Sequence, residues 1–353
     1  MNYRQIGNTG IRVSEIGFGT GDNAGLMVKA TPEDMERTVA RALDLGINYF
    51  DCSPDYGKGV GETNLGRILK KLGAHPVITT KIEIGPQNKD DIPGRILQSI
   101  DESLARLQVD HVDFLEIHNA PAAKYNPQTE EVVRKQGPHS FGPPWIPLII
   151  DDYIGPKGAI GALEKLQSDG KVRFFGFACE HAEAASAKKL LDTGRFHIIN
   201  VWLNLMNPTS GWRKPSGMTV DYDYEQVVDY AAAHGAGVAV IRPLAGGATS
   251  QQAIAGGGRH PLAGGGMSRN PEPWLAEARR ASALGFLNRP DRSIASAAYQ
   301  LILSHPGVST VVGGYSELAH MEEAVACSGR GPLSQEEMSR VEQVWEADFK
   351  VPA

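Results

Sequence analysis

The segments Ile47-Asn48-Tyr49-Phe50-Asp51, Val77-Ile78-Thr79-Thr80-Lys81 and Val112-Asp113-Phe114-Leu115-Glu116-Ile117-His118 share one plan: a short apolar run that ends on an ionisable side chain. Nearly continuous apolar runs of this length predict parallel strands buried on both faces. Further runs at Glu15–Thr20, Phe174–Cys179, His197–Leu203, Gly237–Arg242 and Thr310–Gly314 extend the series to eight. Helix signals lie between them. Thr31-Pro32-Glu33-Asp34 supplies an N-cap, a proline at the first helical position and acids in the first turn, and Gly46 offers a left-handed stop. Arg95–Leu107 places Ile96, Ile100, Leu104 and Leu107 on one face, and Ala159–Leu166, Ala182–Leu191, Tyr224–His234, Ile294–Leu303 and Gln335–Trp345 read similarly. Eight strand–helix units predict a closed (β/α)8 barrel, with a doubly wound open sheet as the alternative. No G-x-G-x-x-G turn opens a helix after the first strand, which counts against the open sheet.

The chain reads as one barrel domain over residues 1–353, preceded by a hairpin at Arg4–Val13. Two long connections, 119–158 and 246–292, break the rhythm. Both follow strands and therefore belong at the strands' C-terminal mouth, where barrel active sites sit. The first contains Gly142-Pro143-Pro144-Trp145; the second is glycine-rich and carries a helix pattern near Trp274–Leu284. Trp145 is a candidate lid or substrate contact, with a partner contact as the other reading.

Composition narrows the function class. A formal net charge of −6 without a basic stripe argues against nucleic-acid binding. No stretch approaches the roughly 18 apolar residues that span a bilayer, and the first residues lack a signal-peptide pattern. The 3 cysteines, Cys52, Cys179 and Cys327, fit neither a disulfide framework nor zinc-ligand spacing. A reducing, cytoplasmic location with no bound metal is the expectation.

In a closed barrel the strand ends converge, so Asp51, Lys81 and His118 meet despite their separation in sequence. Each alone is more often a structural ion pair. Together they read as a buried Asp–Lys pair beside a histidine, with Tyr56 above them on a loop carrying Pro54 and Gly57.

At this point the residues resemble a known family. Gly46-Ile47-Asn48-Tyr49-Phe50-Asp51-Cys52-Ser53-Pro54-Asp55-Tyr56-Gly57, followed by Gly61-Glu62 and Leu65-Gly66, closely resembles the aldo-keto reductase signature. The similarity continues through Thr80-Lys81, Ser103–Leu107, Val112–His118, Gly170–Gly176, Pro243–Gly247 and His305–Thr310. It implies an NAD(P)-dependent oxidoreductase of aldo-keto reductase or alcohol dehydrogenase type, moving hydride between a nicotinamide cofactor and a carbonyl or alcohol. It also implies a tetrad of Asp51, Tyr56, Lys81 and His118. Tyr56 exchanges the proton, Lys81 lowers the pKa of that phenol from its usual value of about 10, Asp51 holds Lys81, and His118 orients the substrate oxygen.

The same resemblance assigns cofactor contacts to Gly19, Thr20, Asp51, Cys179, Asn200, Ile241, Arg242, Pro243, Leu244, Gly314, Ser316, Glu317, His320 and Glu323, and substrate contacts to Tyr56, His118, Trp145 and Trp202. Several positions depart from the family pattern. Ala178-Cys179 stands where a Ser-Asn pair usually holds the carboxamide, Asn200 replaces a Gln, and Ile241-Arg242 stands where a tyrosine commonly stacks on the ring. Glu317 lies where relatives place Lys or Arg for the adenosine 2′-phosphate, leaving His320 as the basic neighbour. A carboxylate repels phosphate and accepts hydrogen bonds from a free ribose hydroxyl, so these residues lean towards NAD(H) although the family pattern favours NADP(H). The weakened clamp keeps two other functions open: a nicotinamide-binding scaffold or sensor with negligible turnover, and a redox-neutral reaction with tightly held cofactor. Substrate identity and oligomeric state are not written in these motifs.

Overall fold

The computed structural model of the chain describes residues 1–126, 146–264 and 272–350. Two antiparallel strands, β1 (Tyr3–Gln5) and β2 (Arg12–Ser14), form the hairpin. Eight parallel strands then close a barrel: β3 (Ile16–Gly19), β4 (Tyr49–Asp51), β5 (Val77–Ile82), β6 (Val112–Ile117), β7 (Val172–Ala178), β8 (Ile198–Trp202), β9 (Gly237–Ile241) and β10 (Thr310–Gly314), with β10 pairing back onto β3. The open-sheet alternative is thereby excluded. A helix follows each strand: Pro32–Asp44, Val60–Leu72, Ile92–Leu107, Ile160–Ser168, Ala184–Leu191, Val227–Ala233, Ile294–Ser304 and Leu318–Val325. The helix at Val60–Leu72 is absent from the sequence reading, because its two internal glycines blur the apolar period. No helix among the described residues is long and apolar enough to cross a membrane.

Local chemistry accounts for the helix ends. Thr31 caps Pro32–Asp44 by accepting from the Asp34 amide at 3.2 Å. That helix stops at Gly46, whose φ of 91° is left-handed and whose missing Cβ leaves room for the Tyr3 hydroxyl. Gly66 lets Val60–Leu72 lie against the next helix, since a Cβ there would come within 2.3 Å of the Leu107 carbonyl oxygen. The long connections carry some order of their own. Ile150–Ile154 is a helical turn within 119–158, and Glu272–Ala281 with a 3-10 continuation at Ser282–Leu287 fills the position expected for Trp274–Leu284. Trp145, Gly265 and Gly266 lie outside the described residues.

The strand residues divide between two apolar environments. Ile16, Phe18, Phe50, Ile78, Leu115, Phe175, Ile199 and Val240 pack outward against the helices. Tyr49, Phe114, Ile198, Ala239 and Val312 form the floor inside the barrel, joined by Ile6, Ile11 and Val13 of the hairpin. The hairpin is pinned to the bottom rim by the Asn8 amide, which donates to the Gly235 carbonyl at 2.8 Å. The barrel is therefore sealed at its N-terminal end, and its C-terminal end is left for chemistry.

Candidate active site

Strand register brings the ionisable side chains into one layer above the floor. Gly19 pairs with Asp51 and Asp51 with Thr79, while Lys81 pairs with Glu116 and Glu116 with Gly176. The Lys81 ammonium donates to Asp51 Oδ2 at 2.6 Å and to the Cys52 carbonyl at 3.1 Å, with both side chains almost wholly buried. Its Nζ lies 5.3 Å from the Tyr56 ring centroid, close enough for the ammonium to act electrostatically on the phenol. The half-buried Tyr56 ring meets the His118 ring edge-on, with centroids 6.2 Å apart. His118 Nδ1 is 3.3 Å from Asp55 Oδ2. The Thr20 amide and hydroxyl both donate to the Asp51 carbonyl, at 2.9 and 3.2 Å, tying β3 to the site. Asp51, Tyr56, Lys81 and His118 therefore gather as expected, from three strands and one loop.

Burial sets the proton affinities. Desolvation pushes the Tyr56 phenol well above the usual tyrosine value; Lys81 opposes this and does not overcome it. The net direction in the free protein is thus opposite to the lowering expected from Lys81, because removing a phenolate from water outweighs one ammonium that Asp51 already balances. Burial pulls Lys81 down, but Asp51, Tyr56 and Glu116 more than reverse it, so the ammonium is secure. Burial lowers His118 and favours neutral imidazole, against the opposing pull of Asp55. Four acidic groups missed by the sequence reading surround this centre. Burial raises Asp22 to about 6; burial and the neighbouring Asp55 raise Glu83 to about 9; burial raises Glu116 to about 8. Glu180 acts electrostatically on Tyr56, His118 and His181.

The mouth is walled on one side by aromatics. Trp202, half-buried at the end of β8, meets His181 at 4.8 Å between centroids, and His181 meets Tyr222 at 4.9 Å. The Arg242 guanidinium sits 4.5 Å over the Trp202 ring. Arg242 itself adopts a left-handed φ of 53° just beyond Ile241, before Pro243 and Leu244 lead into a 3-10 turn. Arg259, 5.0 Å over Trp274, is close enough for Arg242 to disfavour its charge, so two guanidinium groups approach one another. On the β10 side, Gly314 is exposed, Ser316 Oγ donates to the Ala24 carbonyl at 2.7 Å, and Glu317 precedes the helix Leu318–Val325.

A model described as the aldo/keto reductase family matches residues 15–346, taking in the whole barrel and every residue just described around Lys81. The chain belongs to this family. It is 29% identical over 353 residues to L-galactose dehydrogenase of Arabidopsis thaliana, covering 98% of this chain and 95% of that protein. A shorter match, 32% over 142 residues, joins 38% of this chain to 43% of aldo-keto reductase YhdN of Bacillus subtilis. Its fold is similar to that of aldo-keto reductase AKR11C1 from Bacillus halodurans in the holo form, with a TM-score of 0.68, 23% identity and coverage of 98% and 97% of the two chains. Aldo-keto reductases are oxidoreductases that use nicotinamide cofactors on small carbonyl or alcohol compounds, and that much applies here.

Against the aldo-keto reductase pattern, the remaining expected contacts divide. Asn200 is inside the barrel; its Nδ2 donates to Asp51 Oδ2 at 3.4 Å and its Oδ1 has no partner. The Cys179 thiol is fully buried among apolar residues including Tyr153 and Phe177, and burial raises its pKa, so the side chain serves packing in the barrel wall. Cys52 is likewise buried in that cluster. The Glu323 carboxylate accepts from Ser293 and from Ser296 Oγ (3.2 Å), engaging it with the helix Ile294–Ser304. Glu317 lies 3.4 Å from His320 Nε2 and 3.7 Å from His260 Nε2, so a second basic group that the sequence reading missed flanks the carboxylate. Nothing in the local pattern around His260 marks it; only the path of the loop brings it there.

Proposed function

We propose that the protein is an NAD(P)(H)-dependent oxidoreductase that interconverts a carbonyl and an alcohol, and that its substrate is a small polyhydroxylated compound of the aldose class. The observation that carries the reading is the Lys81 ammonium, held by Asp51 and lying 5.3 Å from the centre of the Tyr56 ring, which meets His118 edge-on. This geometry gives a substrate oxygen one group to exchange a proton with and another to orient it.

The residues fit a dinucleotide. The orphaned Asn200 Oδ1 suits the amide of a nicotinamide carboxamide, and Arg242 with Arg259 suits a diphosphate. When bound, the nicotinamide supplies or receives the hydride. Tyr56 holds the proton at its phenol oxygen, Lys81 biases that proton's release, and His118 positions the substrate oxygen as a neutral imidazole. We assign NAD(H) ahead of NADP(H), since Glu317 occupies the position where the family resemblance expects a basic partner for the adenosine 2′-phosphate, with the neighbouring imidazoles 3.7 and 3.4 Å from its carboxylate. For the substrate, Asp22, Asp55 and Glu180 offer acceptors to hydroxyl groups, and Trp202, His181 and Tyr222 offer apolar faces to C–H bonds. The likeness to a protein named L-galactose dehydrogenase agrees with this class.

The test is a screen of aldoses, L-galactose among them, with NAD⁺ or NADP⁺, followed by the absorbance of reduced nicotinamide. Substrate-linked reduction that Tyr56→Phe abolishes supports the proposal. Tight cofactor binding without conversion points instead to a scaffold, and product without net cofactor change to a redox-neutral reaction.

A further inference from the structure

Inside the barrel, among the described residues, one carboxyl side chain has no part in the tetrad. Glu116 is 0% exposed, and neither carboxyl oxygen has a hydrogen-bond partner. Its register partners are Lys81 on β5 and Gly176 on β7; the glycine presents no side chain, so the neighbour with chemistry is Lys81. The distance between the two charges exceeds an ion-pair contact, and the Lys81 ammonium is directed to Asp51 and Cys52 instead. The groups electrostatically linked to Glu116 are Lys81 of β5, Asp51 and Tyr49 of β4, and Cys179 beyond β7. On its own strand the alternate positions are Phe114 below and His118 above, and β8 contributes Asn200 to the interior.

An ionised Glu116 in this place would be a carboxylate with two unsatisfied oxygens in a desolvated interior, an expensive arrangement. It would also leave one ammonium facing two carboxylates. A proton on Glu116 removes the excess charge and brings a donor into the layer.

We propose that Glu116 is a positioning residue for the tetrad: as a neutral carboxylic acid beside Lys81 it leaves that ammonium balanced by Asp51 alone, and its ionisation weakens proton donation from Tyr56. The effect is electrostatic and reciprocal. A new negative charge near Lys81 raises the proton affinity of the phenol, just as Lys81 and Asp51 act in opposite senses on Glu116. The burial-raised value of about 8 puts the switch at the upper edge of the neutral range. The consequence for catalysis rests on the function proposed above, whereas the protonation state itself does not.

Two measurements on the full chain separate these. Infrared difference spectra, wild type minus Glu116→Gln and wild type minus Glu116→Leu, isolate the carboxylic-acid carbonyl stretch of Glu116 from that of Glu83, which also titrates in the alkaline range. The band is expected at pH 6.5 and lost on passing pH 8 to 9; in an Asp51→Asn background its loss moves to lower pH. Absence of the band at pH 6.5 in both difference spectra overturns the proposal. In parallel, kcat/KM for benzaldehyde reduction is expected to fall by about tenfold through that range, the effect of one unit of coupling. Glu116→Gln and Glu116→Leu are expected to lose this alkaline fall while keeping turnover at pH 6.5. A fall that persists in both variants also overturns it. Failure of the wild type to turn over any carbonyl or alcohol would defeat the function proposed above, and the infrared titration would then decide the protonation claim alone.

Discussion

Tyr49 and Asp51, Thr79 and Lys81, and Phe114 and Glu116 are next neighbours on the same inward faces of β4, β5 and β6, yet the barrel changes character between the members of each pair. Below the step lie Tyr49, Phe114 and Ile198, closed off by Ile6, Ile11 and Val13 of the hairpin. Above it lie Asp51, Lys81, Glu116 and Asn200, equally buried but carrying charge and orphaned acceptors. The floor is stabilised by removing apolar surface from water, and any well-shaped apolar side chains would serve there. The layer above it holds groups whose desolvation is unfavourable and whose positions only chemistry requires.

If this contrast is right, the two layers break differently. The largest effect is expected from Lys81→Met, which leaves Asp51 buried without its partner. Stability should fall by roughly 3–5 kcal/mol in denaturant titrations, and turnover should collapse with it. Phe114→Ala in the floor should cost a similar ~3–5 kcal/mol, while kcat per folded molecule stays within about twofold of wild type. A floor variant that damages kcat as much as Lys81→Met would erase the distinction. Tyr56→Phe is the mirror image: turnover lower by at least roughly 10²-fold, with thermal unfolding almost unchanged, since the phenyl ring keeps its packing. Glu317→Lys, at the edge of the mouth, should improve NADPH use relative to NADH by about tenfold without affecting stability.

The smallest expected effect concerns pH. Burial raises Glu116 to about 8, and burial with Asp55 raises Glu83 to about 9, so both folded-state values lie above those of the unfolded chain. The folded protein therefore holds these protons more tightly. The stability these two groups contribute is greatest below the unfolded values, near pH 4 to 5, and declines as pH rises towards 8 to 9. Urea midpoints should show that decline, and Glu116→Leu should flatten it by at least about 1 kcal/mol. A variant as pH-sensitive as wild type would place the titrating charge elsewhere.

The elements legible in advance were those with a period or a punctuation mark. Buried parallel strands print as unbroken apolar runs, and Thr31-Pro32 or Gly46 marks a helix end wherever it occurs. Val60–Leu72 escaped because Gly61 and Gly66, needed for close approach to neighbouring backbone and side chains, interrupt its apolar face. In the site, Asp51, Lys81 and His118 stood out as polar ends of apolar runs. Glu116 has the same signature inside the run before His118, but one acid among apolar residues reads equally well as an outward-facing polar position. Loop residues carry no such mark. Asp22, Asp55, Glu83 and Glu180 reach the mouth only through the paths of their loops, and so does His260, which brings a second imidazole to Glu317.

The amino-acid sequence by itself determined the barrel and the family, and through the family resemblance named Asp51, Tyr56, Lys81 and His118 as the candidate tetrad, because strand period, order and motif spacing are one-dimensional properties of the chain. Proton affinities were decided by the tertiary structure alone. Whether Tyr56 is pushed up or down, how far the Cys179 thiol is raised, and whether Glu116 keeps its proton depend on how much water is removed and which charges remain nearby. Those are sums over neighbours distant in sequence, and they do not exist until the barrel closes.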